Sequence, residues 1–164
     1  MKLLAPWFRS FSGLQRSARQ IGTFAILIYI FSTPALALYD PRIISNNKIG
    51  VHILSPDEID SAARLVNSNG GDWGYVTVPI QPTDRNKEVW QTFMHKANAL
   101  HLIPIIRITT IPYGGTWQQA NDTDLVDFAN FLNELDWPVE NRYIILFNEV
   151  NRSTEWGDTV NPDK

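Results

Sequence analysis

Four short apolar runs, separated by stretches of helical periodicity, set the pattern of the chain. Lys48 to Leu54, Tyr75 to Ile80, Ile103 to Ile108 and Tyr143 to Leu146 are rich in Val and Ile and bounded by polar residues, so they read as strands. The last run, Tyr143-Ile144-Ile145-Leu146, has no polar alternation and predicts a strand buried on both faces. Pro104 is tolerable only near its strand's start, and Pro79 lies near its strand's exit.

Three helices are predicted between these strands. The first opens at Ser55-Pro56-Asp57-Glu58, with Ser55 as cap, Pro56 at the first helical position and Glu58 completing a capping box. Its apolar stripe is Ile59, Ala62, Ala63 and Val66, and Gly70-Gly71 end it. The second runs from about Asp84 to Leu100, with Val89, Trp90, Phe93, Met94, Ala97 and Leu100 on one side. A long loop, Thr109 to Thr123, contains Tyr113-Gly114-Gly115-Thr116-Trp117. The third helix follows from about Asp124 to Leu135, with Leu125, Phe128, Leu132 and Leu135 as its stripe.

The order βαβαβαβ implies an α/β fold with a parallel sheet and right-handed crossovers. Either an open doubly wound sheet or part of a (β/α)8 (TIM-type) barrel fits. A doubly wound sheet usually carries a glycine-rich turn after its first strand, but that turn here is Leu54-Ser55-Pro56-Asp57. Polar residues fall instead at strand exits: His52, Gln81, Arg107, and Asn148 with Glu149. A barrel collects its site in this way, which favours the barrel. A complete barrel needs about 250 residues, against 164 here. The expectation for 48–164 is therefore an N-terminal half-barrel of about four βα units. Alone, it would expose two sheet edges and an apolar interior, which predicts either a truncated product or self-association.

The N-terminus reads as an address. Lys2, Arg9, Arg16 and Arg19 precede an almost wholly apolar stretch from Ile21 to Phe31, followed by Pro34 and Ala35-Leu36-Ala37. Basic region, apolar core, helix breaker and small-x-small site make residues 1–37 a signal peptide cleaved after Ala37, with a linker at 38–47. The rival reading is an uncleaved anchor over Ile21–Leu38, at the lower limit for spanning a bilayer. Both readings predict an exported body, secreted or associated with the cell envelope.

Composition narrows the function. A 44% apolar and 19% charged chain is globular, and a net charge of −3 without a long basic run argues against a nucleic-acid surface. The absence of cysteine excludes disulfides, thiolate metal sites and a cysteine nucleophile. His95 and His101 have no metal-ligand spacing to a carboxylate, and there is no phosphate loop and no Gly-x-Ser-x-Gly, so neither metal nor cofactor is expected. Asn121-Asp122-Thr123 and Asn151-Arg152-Ser153 match glycosylation acceptors.

The remaining chemistry sits at the strand exits. Glu149, where apolar walls give way to loop, is the candidate general acid/base. Arg107 is in step with Ile105 and Ile103, so it shares their face and could orient a carboxylate or bind a hydroxyl. His52, Tyr113, Trp117 and Trp156 are candidate substrate contacts, the aromatic rings as flat apolar faces.

Phe147-Asn148-Glu149-Val150-Asn151 resembles the Asn-Glu signature of the retaining glycoside hydrolases with (β/α)8 barrels, the clan A superfamily of cellulase-, β-glycosidase- and β-xylosidase-like enzymes. Glu155-Trp156-Gly157-Asp158 also looks like the following loop in some members, while the usual Asn-Glu-Pro reads Asn148-Glu149-Val150 here. The resemblance implies that Glu149 is the acid/base, that Asn148 bonds the sugar 2-hydroxyl, and that the nucleophile is a second glutamate on a seventh strand. Retention requires the two carboxyls about 5–5.5 Å apart. Glu155, on the same loop as Glu149, is not expected to be that nucleophile. The implied partner is an oligo- or polysaccharide. The chain alone is then expected to show little activity, and a non-catalytic envelope or glycan-binding protein is the alternative.

Overall fold

The computed structural model describes Asp40, Ile43 and residues 45–160. The signal sequence expected over 1–37, the alternative anchor over Ile21–Leu38 and part of the 38–47 linker lie outside the described residues. No helix among the described residues is long and apolar enough to cross a membrane.

The fold is mixed α/β. Strands β1 (Gly50–His52), β2 (Gly74–Ile80), β3 (Leu102–Ile108) and β6 (Tyr143–Leu146) form a four-stranded parallel sheet in the order β1-β2-β3-β6. Two-residue strands β4 (Pro112–Tyr113) and β5 (Thr116–Trp117) make a separate antiparallel hairpin. Helices α1 (Ile59–Val66), α2 (Lys87–Ala99) and α3 (Asp122–Asn133) fill the three crossovers. Each strand pairs with the one before it, so these four strands lack the order reversal that defines a doubly wound sheet.

All three helices pack on one face of the sheet. Val76, Val78 and Ile80 of β2 and Leu102, Ile106 and Ile108 of β3 alternate onto that face. They join Ile59, Ala62, Ala63 and Val66 of α1, Trp90, Phe93, Met94 and Ala97 of α2, and Phe128 and Leu132 of α3 in one core. The predicted stripe of α1 is buried entirely. In α2 the stripe is narrower than expected, because Val89 is 46% exposed. Burying each large aliphatic or aromatic side chain in this layer contributes about 1.5–3 kcal/mol.

Local chemistry starts the helices. The Glu58 carboxylate accepts from the Leu54 and Ser55 amides, though the first turn, Pro56–Glu58, is 3₁₀. Asn86 caps α2 through the Glu88 and Val89 amides, and Asn121 caps α3 through the Asp124 amide. Both caps move the starts from Asp84 and Asp124, as expected from sequence, to Lys87 and Asp122.

Hydrogen-bond direction explains the two strand prolines. Tyr75 donates to Ile49 and Thr77 accepts from Ile53, so Tyr75, Thr77 and Pro79 point toward β1. The β1 ladder stops at His52, paired to Thr77, before Pro79. Ile108 accepts from Phe147, so Pro104 points toward β6, whose pairing begins only at Ile105. Neither missing N–H interrupts a ladder.

The strand β6 departs from expectation. Ile144, Ile145 and Leu146 are 41%, 42% and 62% exposed. The run is apolar enough for burial on both faces, but among the described residues it is an edge strand with no helix packed behind it.

Candidate functional site

Beyond β3 and β6, the chain turns in two ways that place the site. After Ile108, Thr109 continues the ladder by donating its amide and its hydroxyl to the Ile80 carbonyl, at 2.9 and 3.2 Å. Thr109 and Thr110 are both buried. After Leu146, the Phe147 amide donates to Ile108 at 2.9 Å, and Phe147 itself adopts φ 62°. A bulky residue in the left-handed region is strained, and such strain collects where the surrounding structure fixes the chain for a purpose. Here it ends β6 in a sharp turn that separates the fates of Asn148 and Glu149.

The hairpin and the loop after β6 build the rim. Gly114 and Gly115, at φ 61° and 90°, supply the two positive-φ positions of a tight hairpin turn. Trp117 at its base accepts the Gly157 amide at 2.6 Å, and Gln119 donates to Trp156 and Thr159. Trp156 packs edge-on against Phe147, with centroids 5.3 Å apart.

These pieces enclose a cavity of about 180 Å³ lined by Arg107, Thr109, Thr110, Trp117, Phe147, Asn148, Glu155 and Trp156. Ligand sites that enclose a drug-sized molecule run to about 300–1,000 Å³. This cavity therefore suits a single small unit. Aromatic walls surround a guanidinium, a carboxylate, an amide and two hydroxyls. A second cavity of about 290 Å³ lies between Pro56-Asp57 and α2, and its Lys96 is already paired with Asp60 at 2.7 Å. Asp57, Glu88 and Thr92 also line it, but it lies on the helix side of the sheet, away from the strand ends.

The structure brings together four of the residues singled out from sequence: Arg107, Asn148, Trp117 and Trp156. Arg107 shares its face of β3 with Ile103 and Ile105, and its Nε is buried without a hydrogen-bond partner. Glu149 does not line the cavity. Its side chain is 51% exposed and pairs with Arg152 at 2.8 Å. Tyr113, at the hairpin tip, is 75% exposed and also lies outside the lining. His52, on the edge strand β1, is exposed and outside the lining as well. Partial burial holds its imidazole below the ordinary histidine pKa, and the positive charge of Arg107 lowers it further.

Four lining residues, Thr109, Thr110, Phe147 and Glu155, carry no site role in the sequence reading. Glu155 was noted in the sequence but set aside, and it is the carboxylate that lines the cavity. Thr109 and Thr110 follow directly on an apolar strand, and a pair of hydroxyls at a strand exit is the signal that could have marked them. No group of three or more His, Cys, Asp or Glu among the described residues could hold a metal ion.

Comparison with protein-family models, curated proteins and solved structures finds no match to this chain.

Proposed function

We propose that this chain carries the N-terminal half of a (β/α)8 glycoside hydrolase site, exported and acting on an oligo- or polysaccharide. The observation that carries the reading is the convergence of Arg107, Asn148, Trp117 and Trp156 on one cavity beyond the carboxyl ends of adjacent parallel strands. Barrel enzymes build their sites at that end. Sequential strand order with every helix on one face is the arrangement that curls toward a barrel, and it supports the half-barrel part of the reading.

In this reading Trp117 and Trp156 stack on a sugar ring and Asn148 bonds its hydroxyl. Glu149, next in sequence to Asn148, is the acid/base. It reaches the substrate by leaving Arg152, and an exposed ion pair of this kind is worth only about 0–1 kcal/mol, so the pair does not hold it back. Glu155 sits in the cavity as a second carboxylate that accepts from hydroxyls. The nucleophile comes from strands outside this sheet.

The test has two parts. The purified chain should bind monosaccharides weakly, with Trp117→Ala and Asn148→Ala each abolishing the binding. It should show little or no hydrolysis of aryl glycosides. Absence of sugar binding, or binding indifferent to both variants, would sink the carbohydrate reading. Robust hydrolysis lost on Glu149→Gln would overturn the half-site part, since the second carboxyl would then lie within this chain.

A second reading is favoured by β6. An edge strand exposing Ile144, Ile145 and Leu146 offers unpaired backbone and apolar side chains to another strand. Self-association of the chain across this edge would cover both.

A further inference from the structure

We propose that the cavity is selective for a sugar bearing a carboxylate, a hexuronic acid, with Arg107 as the residue that selects it. The inference rests on the carbohydrate reading and names the substrate class of that same site.

Arg107 is half-buried, and its Nε is buried without a hydrogen-bond partner. A guanidinium cannot shed its proton to escape this cost, as a lysine can. Burying its Nε–H without an acceptor is unfavourable, and a bound anion would supply one. Glu155 lines the same cavity, but no ion pair forms between the two. The neighbouring His52 cannot supply an anion, because an imidazole is neutral or positive in either protonation state.

Two of the groups around Arg107 keep a free donor. Thr109 spends its hydroxyl proton on the Ile80 carbonyl. The Thr110 hydroxyl and the Asn148 amide make no side-chain hydrogen bond to any described residue, and both line the cavity. Arg107 and Thr110 therefore offer a charged fork and a hydroxyl to one anionic group, and planar carboxylates fit such a fork bidentately. Asn148 and Glu155 are left to bond ring hydroxyls. Trp117 and Trp156 supply apolar faces for the ring. A neutral hexose would satisfy the walls and leave the guanidinium unpaired.

The test compares methyl β-D-glucuronide with methyl β-D-glucoside on the full chain, followed by the indole N–H resonances of the tryptophans in NMR titrations. Charged hydrogen bonds predict about 10- to 100-fold tighter binding of the glucuronide. That preference should vanish in Arg107→Met, survive in part in Arg107→Lys, and grow in Glu155→Gln, where a like charge is removed. Far-ultraviolet circular dichroism checks that each variant is folded, and the preference of the unaltered chain stands as a test without any variant. Equal binding of the two sugars overturns the inference and leaves the carbohydrate site standing. Such a result follows if another carboxylate of the protein occupies Arg107. Acetate binding as tightly as the glucuronide also overturns it, since the site would then read charge and not sugar. Binding of neither sugar overturns this inference and the carbohydrate reading together.

Discussion

Asn67 ties together four segments at the end of the sheet opposite the cavity, and removing its side chain should show how much that knot contributes. Its Nδ2 donates to the Leu100 and His101 carbonyls, both at 3.0 Å, where α2 turns into β3. Its Oδ1 accepts from the Gly74 amide at 2.9 Å, at the start of β2, and from Asn47 Nδ2 at 3.1 Å. Four bonds at about 0.5–1.5 kcal/mol net each set an upper range. Water can replace the more exposed ones, while the amide of the buried Gly74 would be left without a partner. We therefore expect Asn67→Ala to cost about 2–4 kcal/mol. With a urea dependence of about 1–3 kcal/mol per molar, the unfolding midpoint should fall by about 0.7–4 M. Asn67→Asp should be no better than alanine, since it keeps the acceptors but turns an anion toward two carbonyls. Asn98→Ala, on exposed helix surface, is the control and should stay within about 0.5 kcal/mol of the unaltered chain. An Asn67→Ala midpoint within error of the unaltered chain, or a near-normal Asn67→Asp, would refute the reasoning.

Gly74→Ala should destabilise by about 1–3 kcal/mol in urea melts, because its Cβ would stand 2.5 Å from Val66 Cγ2 and 2.9 Å from Asn67 Oδ1. The His52 titration in NMR should have its midpoint below the ordinary 6.5. Because the folded pKa is depressed, whatever stability His52 contributes is present above the unfolded pKa and is lost as pH falls through the folded one. Arg107→Met should move that midpoint only part of the way back, since burial is the larger cause. A double-mutant cycle on Glu149 and Arg152 should give a coupling of at most about 1 kcal/mol, as expected for an exposed pair. Leu146→Lys should abolish concentration-dependent association in sedimentation velocity while changing stability by less than about 0.5 kcal/mol.

The sequence resolves those features that depend on local periodicity. Ile59, Ala62, Ala63 and Val66 repeat at helical spacing and are buried on the face that spacing defines. The alternation of β3 assigns Arg107 to the face of Ile103 and Ile105 in the same way. Features set by neighbours are hidden. Nothing in Tyr-Ile-Ile-Leu reveals whether another layer will cover β6, so burial on both faces was expected and exposure is found. The hairpin carries its Gly-Gly turn openly, yet strands of two residues are too short for any period to show. The division between Asn148, in the cavity, and Glu149, outside it, turns on the positive φ of Phe147. A phenylalanine gives no hint of that conformation, so the sequence does not show that Glu155, and not Glu149, lines the cavity.

Because each strand of the sheet lies beside its predecessor, the order in space is the order of synthesis. Every pairing closes within one strand–helix–strand unit, which keeps contacts local and loop-closure costs small. A ribosome releasing this chain would therefore extend the sheet at a single growing edge, one unit at a time. At each stage the newest strand keeps an unpaired outer edge, as β6 does among the described residues, while β1 and β2 pair first and β2 and β3 end in the interior. Native-state hydrogen exchange should follow the finished sheet and not that history, with the slowest amides between β2 and β3 and faster ones toward β1 and β6.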